Sequence, residues 1–402
     1  MRRIGWIAAV AGLAVAAQAG VVSDHGRLRV SGNKIVDSLG RPIQLAGMSL
    51  YWPEWANSGK NFYTAAAVQA LATDWKASVV RAPMPVYTPN STPAVQLNRA
   101  TYTPMIKTVI DAAIANDIYV IVDWHVEGDT VMADSAKAFF QDIATSYPNC
   151  PNILWEIWNE PINSTWATIR TYTNGLLPTI RAQSRNIVIV GSTGWSHRPQ
   201  YGTTAPIVGD SAIAYTAHFY ACTDTSDFQA TVRTAAAKVP VFLSEWGTTS
   251  SDGRTGYCQN WADSWLALAD SLDLSWANWS FSNVGGNSQA LTGTSFTATT
   301  TSGTYVKGKI QQVYDKLQGT LSIRAPGAVP VGFSARAVGD RIAVVAPEGT
   351  RELEAVSPSG RVLDRVPAHS GSNLLEPGTG GLVFVRAIGG AGIRSTAVVL
   401  PR

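Results

Sequence analysis

The strongest constraint on the fold is an eightfold alternation of short apolar runs with helical stretches. This alternation is typical of a parallel sheet wrapped by helices, and eight repeats suffice to close such a sheet into a barrel. We therefore predict an α/β fold, a (β/α)8 TIM barrel over residues 20–318. The predicted strands are Ile43–Ser49, Val79–Met84, Tyr119–His125, Ile153–Glu160, Ile187–Thr193, Ile213–Tyr220, Val241–Trp246 and Leu274–Phe281.

Helical patterns occupy the intervals between these runs. Before the first strand, Leu28–Val30 and Lys34–Val36 flank a Ser-Gly-Asn turn, which predicts a hairpin that closes the bottom of the barrel. We assign the Thr- and Ser-rich stretch 292–304 to a long loop after the eighth strand, because a helical pattern follows it. The predicted helices include Tyr102–Asn116, Ser135–Thr145, Trp166–Gln183, Asp227–Lys238, Asn260–Leu272 and Tyr305–Leu317.

The first residues have the pattern of a secretory signal peptide. Two arginines precede an apolar run over residues 4–17, and a small-x-small site ends at Ala19, so we predict a signal peptide over residues 1–19. An uncleaved anchor is the alternative, but the run is shorter than the roughly 20 apolar residues that a span requires. No later segment has a transmembrane pattern. We expect a secreted, extracellular protein, with association to the cell surface left open.

A change of composition marks a second domain over residues 319–402. No Trp, Tyr, Lys or Cys occurs there, whereas Gly, Pro, Val and Arg increase. Short alternating runs separated by turns predict a small all-β, sandwich-like C-terminal domain. The runs are Arg341–Val345, Leu353–Val356, Arg361–Arg365 and Gly381–Arg386.

Charge is distributed unevenly along the chain. The formal net charge is +3, of which residues 319–402 contribute +3 through nine Arg and six acidic residues. Because the leader contributes a further +2, residues 20–318 carry −2. A mildly acidic main domain argues against nucleic acid as a partner.

Three cysteines are too few for a disulfide framework and are badly spaced for a zinc site. Export permits one bridge. Cys222 and Cys258 both follow predicted strand ends on one face, so they are the pair that we expect to bond, and an unbonded pair is the alternative. Cys150 would then be a buried thiol.

Polar residues collect where the predicted strands end. Two apolar runs end in glutamates of similar context, Glu160 and Glu245, and a carboxylate at such an exit costs desolvation energy unless it has partners. Functional side chains of a (β/α)8 barrel come from these strand ends, and glycosidic bond cleavage is the chemistry that most requires two facing carboxylates. The residues at the exits are Arg81, His125, Asn159 with Glu160, His218 with Tyr220, Glu245 and Trp279.

Each of these residues also has a structural explanation. Arg81 can bridge Glu156 inside the barrel. His125 and His218 can be hydrogen-bonded core histidines, and Trp279 can serve packing. Their joint placement at six of eight predicted exits favours the functional interpretation.

Six motifs in order along the barrel resemble glycoside hydrolase family 5, in particular its bacterial endoglucanases. The motifs are Arg81, Asp123-Trp124-His125, Asn159-Glu160-Pro161, His218-Phe219-Tyr220, Glu245-Trp246-Gly247 and Ala277-Asn278-Trp279-Ser280. The resemblance spans roughly residues 47–317. It implies a retaining endo-β-1,4-glucanase that cleaves by double displacement, with no cofactor and no metal. The implied partner is a β-1,4-linked polysaccharide, and we expect a monomer.

The resemblance also assigns roles to the residues at the exits. Glu245 would be the nucleophile, held ionised by Arg81 and Tyr220. Glu160 would donate its proton to the leaving oxygen and then act as base toward water. Asn159 would bind the 2-hydroxyl of the sugar at the cleavage point. A retaining mechanism predicts carboxyl groups roughly 5–5.5 Å apart, and an inverting one roughly 6.5–9.5 Å.

The two strand-end histidines and several aromatic residues would contact substrate. His125 and His218 would touch the sugar or orient the glutamate pair. Trp279 would lie beneath the central ring, because aromatic side chains match the flat apolar faces of sugars. The expected flanking contacts are Trp55, Trp195 and Tyr51, the last of which stands where relatives often have a histidine. Packing is the preferred interpretation for the tryptophans on predicted helices, which include Trp75, Trp261 and Trp265.

Other carboxylates have weaker claims to catalysis. Glu156 shares strand parity with Glu160 but lies deeper, at ~3.3 Å per residue, so we interpret it as a buried structural partner. Asp123, two residues before His125, receives the same interpretation. Three more lie in predicted loops without special context, and we expect them to be solvated: Glu54, Glu127 and Asp129.

Departures from the family pattern leave the substrate range open. Val284 and Gly286 stand where many relatives have a Lys and a Glu that bind a distal glucose, and Pro85 replaces a tyrosine. The runner-up activity is a β-mannanase or another β-1,4-glycanase. A noncatalytic glycan-binding protein on the same barrel is the alternative of another class.

The tail lacks the residues that a cellulose-binding module needs. No Trp or Tyr follows Tyr314, and a cellulose-binding face usually presents exposed aromatic rings. Parts of the tail weakly resemble C-terminal secretion and sorting domains of exported proteins.

Overall fold

The computed structural model divides the chain into two compact units, Met1–Leu317 and Gln318–Arg402, and each is described by itself. The predicted signal peptide over residues 1–19, Glu54 and Trp55 lie outside the described residues. The described residues are 20–53, 59–87, 98–322, 334–338, 341–346, 350–357, 361–369, 372–378, 381–389 and 392–400.

A short helix and a hairpin close the bottom of the barrel. Helix α1 (Val21–His25), which was not expected from the sequence, precedes the antiparallel strands β1 (Arg29–Ser31) and β2 (Lys34–Val36). Their apolar side chains pack in one buried cluster with residues from the lower half of the barrel interior. The members from this lid are Val21, Val22, Leu28 and Ile35, and those from the barrel include Val79, Tyr119, Ile121, Leu154 and Phe242.

Eight parallel strands form a closed barrel, in which the last strand pairs with the first. The predicted fold class is confirmed, and every predicted strand overlaps an observed one. The strands are β3 (Ala46–Leu50), β4 (Val79–Tyr87), β5 (Tyr119–Val126), β6 (Ile153–Glu156), β7 (Val188–Val190), β8 (Ile213–Tyr220), β9 (Val241–Gly247) and β10 (Trp276–Phe281).

Helices cover the outside of the barrel and bury its outward-facing side chains in the main hydrophobic core. Thr64, Asn98 and Thr165 cap the first turns of three of them, because each side chain accepts a hydrogen bond from a backbone N–H three residues on. The helices are α2 (Ala65–Thr73), α3 (Arg99–Ala115), α4 (Ala133–Ser146), α5 (Trp166–Arg181), α6 (Thr193–Ser196), α7 (Tyr201–Thr204), α8 (Ser226–Ala236), α9 (Gln259–Leu272) and α10 (Thr301–Ser322). Because α10 begins at Thr301, the predicted loop 292–304 is shorter than expected.

A disulfide joins Cys222, in the loop after β8, to Cys258, which immediately precedes α9. The two Cα atoms are 5.2 Å apart. Cys150 is free and half-buried rather than fully buried, and its thiol donates to Asn152.

The second unit contains two antiparallel sheets that share one apolar cluster. One sheet has the order β11-β12-β15 and the other β14-β13-β16-β17. The cluster includes Ile342, Val344 and Leu375 of the first sheet and Leu353 and Val385 of the second sheet. The strands are β11 (Ser334–Val338), β12 (Arg341–Val345), β13 (Thr350–Val356), β14 (Val362–Pro367), β15 (Ser372–Leu375), β16 (Gly381–Gly389) and β17 (Gly392–Leu400).

Among the described residues, none of the helices has the length and apolar character needed to cross a membrane.

Candidate active site

A cleft of about 800 Å³ opens at the carboxyl ends of the barrel strands. Arg81 lies beneath it, fully buried. The other predicted site residues that the structure describes all line the cleft, namely Tyr51, His125, Asn159, Glu160, Trp195, His218, Tyr220, Glu245 and Trp279.

A β-bulge in β9 directs Glu245 into the cleft. Thr216 of β8 pairs with Phe242 of β9, whereas His218 pairs with Glu245, so three residues of β9 span the interval of two on β8. Phe242 faces the barrel interior. Strict alternation would therefore point Glu245 outward, and the extra residue of the bulge reverses that direction.

Glu160 is fixed by the edge of β5 and by its own loop. Strand β6 ends at Glu156, four residues earlier than predicted, but the chain continues beside β5 and the Glu160 amide donates to Val126 O at 2.9 Å. Asp129, which was expected to be merely solvated, is exposed. It also accepts hydrogen bonds from three successive backbone amides after Glu160, those of Ile162, Asn163 and Ser164.

The two glutamates approach each other closely across the mouth of the barrel. One carboxylate oxygen of Glu160, one of Glu245 and one ring nitrogen of His218 all lie within 4.8 Å of one another. Such a triangle has the dimensions of a cation site, but its atoms already have protein partners. His218 Nδ1 lies 2.8 Å from Glu160 Oε1, and Tyr220 donates to Glu245 Oε1 at 2.8 Å. The convergence is therefore explained by the two glutamates and their hydrogen-bond partners.

Arg81 connects the nucleophile position to deeper carboxyl groups. Its Nη1 donates to Glu245 Oε2 at 2.9 Å and its Nε donates to Glu156 Oε2 at 2.7 Å. Its Nη2 donates to Asn159 Oδ1 at 2.5 Å and lies 2.9 Å from Asp123 Oδ2. One guanidinium thus reaches Glu156 and Glu245 together, which is the geometry that the structural and the functional interpretation of Arg81 each require.

Burial and charge divide the carboxyl groups around Arg81 into two kinds. Burial would raise the pKa of Glu156, but the charges of Arg81 and His218 and the hydrogen bond from Ser244 outweigh it and lower that pKa to about 2. Burial raises the pKa of Asp123 well above its usual value despite the charge of Arg81. Glu156 is therefore ionised at neutral pH, whereas Asp123 favours its protonated form.

The two cleft histidines differ in charge for the same reasons. Burial, reinforced by the charge of Arg81, lowers the pKa of His125 to about 3. Burial would also lower the pKa of His218, but its ion pair with Glu156 and its hydrogen bond to Glu160 raise it to about 10. At neutral pH His125 is neutral and His218 is an imidazolium.

Tyr220 is a neutral hydrogen-bond donor to Glu245. Burial and the charge of Glu245 raise the pKa of Tyr220 well above its usual value. The phenol therefore keeps its proton and directs it at the Glu245 carboxylate.

An aromatic wall flanks the glutamate pair on one side. Trp279 stacks on His125 with ring centroids 5.5 Å apart and lies 5.3 Å from Tyr51. Trp52, which was not predicted from the sequence, packs against both Trp279 and His125, with ring centroids 5.6 Å apart in each pair. Elsewhere along the cleft, Trp195 is 46% exposed, so its ring remains accessible to a ligand.

Arg254 borders the cleft beside this wall. Burial raises the pKa of Tyr51, although the charge of Arg254 and a hydrogen bond from it act to lower that pKa. Gly286, where many relatives are expected to carry a glutamate, has φ +72°, and a Cβ there would lie 2.8 Å from Arg254 Cα. No side chain fits at Gly286 without displacing that backbone.

Two further ionisable residues of the cleft were not expected from the sequence. His197 lies 3.0 Å from Asp224, and although burial opposes it, that carboxylate raises the His197 pKa. Glu127 was expected to be solvated, and that expectation is wrong, because the residue is partly buried and lines the cleft. A signal for Glu127 exists in the sequence, since Asp123, His125 and Glu127 alternate along one strand and so share a face.

A parallel (β/α)8 barrel with two close carboxylates at the carboxyl-terminal mouth defines the class of barrel glycoside hydrolases. The family model described as cellulase (glycosyl hydrolase family 5) matches residues 36–285. The chain belongs to this family.

Named relatives agree with this membership. Endoglucanase Z of Dickeya dadantii (strain 3937) is 37% identical over 259 residues, which cover 64% of this chain and 60% of the relative. An endoglucanase of Clostridium saccharobutylicum is 36% identical over 308 residues, covering 73% of this chain and 67% of the relative. The crystal structure of the catalytic domain of Thermobifida fusca endoglucanase Cel5A with cellotetraose superposes with a TM-score of 0.67 at 30% identity, covering 73% of this chain and 99% of that one.

Proposed function

We propose that this protein is a secreted endo-β-1,4-glucanase that hydrolyses internal glucosidic bonds with retention of configuration. The observation that carries the proposal is the approach of Glu160 and Glu245, whose nearest carboxylate oxygens lie within 4.8 Å. This upper limit is consistent with the roughly 5–5.5 Å between the carboxyl groups of retaining enzymes and is shorter than the roughly 6.5–9.5 Å of inverting enzymes. The endoglucanase relatives support the choice of reaction.

In the first step Glu245 attacks the anomeric carbon while Glu160 protonates the departing glycosidic oxygen. The bond from the anomeric carbon to that oxygen breaks, and a covalent glycosyl ester forms on Glu245. Hydrogen bonds from Arg81 and Tyr220 hold both carboxylate oxygens of Glu245 in place for attack.

Charge balance in the buried site supports this division of roles. Arg81 and His218 supply two positive charges, and Glu156 supplies one negative charge. Burial favours the neutral form of Asp123, so the net positive charge stabilises an ionised Glu245. A protonated Glu160 then adds no second negative charge beside it.

In the second step Glu160, now a carboxylate, removes a proton from water. The resulting hydroxide attacks the anomeric carbon from the side that the leaving group vacated, the ester bond to Glu245 breaks, and the sugar is released with its original configuration. His218 donates to Glu160 and holds its carboxylate in the position required for both steps.

Asn159 positions the sugar at the cleavage point. Arg81 donates to Asn159 Oδ1, which fixes the amide orientation and leaves its NH2 group as the donor that faces the cleft. That NH2 group can donate a hydrogen bond to the 2-hydroxyl oxygen, and this contact can strengthen in the transition state.

The cleft suits a β-1,4-linked glucan whose rings lie against aromatic faces. Trp279 with His125 would support the sugar ring at the cleavage point. Trp195 would contact a neighbouring ring, and Tyr51 would contact the sugar beyond Trp279. The Thermobifida fusca structure with cellotetraose supports a cello-oligosaccharide as the ligand of this cleft.

Residues 20–318 would form the catalytic domain and residues 319–402 a separate domain without catalytic residues. The disulfide between Cys222 and Cys258 supports export, because such bonds persist in oxidising compartments. We expect a truncated protein that ends at residue 318 to retain its activity on soluble cellulose and its binding to insoluble cellulose.

The test is hydrolysis of carboxymethylcellulose, mannan and xyloglucan by the full chain. We expect fast viscosity loss and reducing-sugar release from carboxymethylcellulose, with products that NMR first detects as β-anomers. Glu245→Gln should reduce release by at least about 10³-fold, whereas Glu376→Gln, at an exposed carboxylate of the second unit, should not. Preferential cleavage of mannan would favour the β-mannanase alternative, and equal release by Glu245→Gln would refute the nucleophile assignment.

A further inference from the structure

Glu127 is a third carboxyl group in the cleft, and none of the steps above uses it. It follows β5 directly and forms a parallel backbone bridge with Glu160. Bridged residues of parallel strands lie about 4.8 Å apart, and their side chains point to the same side of the sheet. The general acid of the proposed mechanism thus has a carboxyl group as its neighbour on the adjacent strand.

The surroundings of Glu127 contain no compensating partner. Within the part of the chain that the structure describes, no donor or cation pairs with its carboxylate, and burial and the charges of Glu160 and Glu245 raise the pKa of Glu127 to about 7. Of the titratable groups that face it, His125 on its own strand is neutral. His218 on β8 is positive but is hydrogen-bonded to Glu160.

We propose that Glu127 is a positioning residue for the proton of Glu160, whose ionised form it repels so that the general acid stays protonated at higher pH. This inference rests on the proposed function. The repulsion between the two carboxyl groups is mutual, and burial together with the charges of Glu160 and Glu245 raises the pKa of Glu127 to about 7. The effect therefore develops on the alkaline side, where the pair loses its last proton. A partly screened unit charge one strand away displaces the titration of its neighbour by roughly one pH unit.

The experiment compares kcat/KM from about pH 4 to pH 10 for the full-length wild type, Glu127→Gln and Glu127→Asp. Two substrates separate a proton effect from a packing effect. Cellotetraose has a leaving group that needs the proton of Glu160, whereas 2,4-dinitrophenyl β-cellobioside has one that leaves without it. Glu376→Gln is the control for loss of one exposed carboxylate.

With cellotetraose we expect the alkaline limb of the kcat/KM–pH profile, where kcat/KM falls as the pH rises, to move to lower pH by roughly one unit in Glu127→Gln. On that limb this is about a tenfold loss of kcat/KM. Glu127→Asp keeps the charge and should keep the limb of the wild type. With the dinitrophenyl substrate the limb should not move. An unmoved limb with cellotetraose, or the same displacement with both substrates, would overturn the inference. Failure of the wild type to cleave either substrate would overturn the proposed function and this inference with it.

Discussion

Replacement of Arg81 by methionine tests whether buried charge holds the floor of the active site together. The guanidinium is fully buried and lies within 2.9 Å of the carboxyl groups of Asp123, Glu156 and Glu245. Methionine is an unbranched apolar side chain that can occupy much of the same space. The variant therefore removes the charge and the hydrogen bonds while preserving much of the packing.

The magnitude of the loss follows from Glu156. Its pKa falls from 4.5 to about 2 because Arg81, His218 and Ser244 outweigh burial, which corresponds to about 3 kcal/mol of stability at neutral pH. Removing one partner from a buried ion pair costs about 3–5 kcal/mol. We expect Arg81→Met to lower the free energy of unfolding by about 3–5 kcal/mol at pH 7.

The loss should depend on pH in a defined direction. In the wild type, the stability from Glu156 is present above about pH 4.5 and is lost as the pH falls toward 2. In Arg81→Met only His218 and Ser244 still oppose burial, so the folded-state pKa of Glu156 rises from about 2 and the stability that Arg81 provided is lost. The penalty is then largest at neutral pH and disappears as protons bind. The difference between the two proteins should therefore shrink as the pH is lowered from about 7 to about 3.

Urea unfolding followed by tryptophan fluorescence measures this difference for the first unit, because no tryptophan follows Trp279. Lys107→Met is the matched control. Lys107 lies 2.8 Å from Asp142, but the side chains are 30% and 49% exposed, so we expect a loss below about 1 kcal/mol. A loss in Arg81→Met no larger than this control, or one that stays constant with pH, would refute the reasoning.

Three further predictions address separate contacts. Tyr220→Phe removes the hydroxyl that donates to Glu245 at 2.8 Å. Because a hydrogen bond to a charged group contributes about 1.5–3 kcal/mol, kcat/KM for cello-oligosaccharides should fall about 10–100-fold in steady-state assays. An unchanged kcat/KM would contradict the role of Tyr220. Trp195→Ala removes an exposed cleft ring, so we expect KM to rise about fivefold or more with kcat nearly constant, and an unchanged KM would exclude stacking there. Cys222→Ser with Cys258→Ser opens a loop with a sequence separation of 36 residues and should lower the free energy of urea unfolding by about 4 kcal/mol, and a loss below about 1 kcal/mol would contradict the bond.

The strands were predictable because each one is a buried run of its own. Ile213–Tyr220 is predicted and observed with the same bounds, and all eight of its residues are buried. The end of β6 was misplaced because Ile157 and Trp158 are as buried as the strand before them. Burial sets the apolar pattern of a sequence, whereas strand ends depend on backbone hydrogen bonds that the pattern does not record.

The site was predictable as a set of strand ends, but the directions of its side chains were not. The bulge that turns Glu245 inward is one residue long and has no distinctive residue type, so alternation from Phe242 predicts the opposite face. Glu127 was wrongly predicted to be solvated. Its spacing of two residues from His125 indicated the same face of the sheet, but its position beyond the predicted strand end suggested solvent exposure.

The proposed mechanism requires Glu160 to hold a proton in the first step and to lack it in the second, and the surrounding charges supply both conditions in turn. His218 is hydrogen-bonded to the carboxyl group of Glu160, whereas Glu245 and Glu127 place further carboxyl groups beside it. When the glycosyl ester forms, Glu245 loses its charge, and the repulsion that kept the proton on Glu160 weakens while His218 stays in place. The balance then moves toward the carboxylate at the moment when a base is needed. In the proposed mechanism, formation of one covalent bond on Glu245 thus switches Glu160 from acid to base.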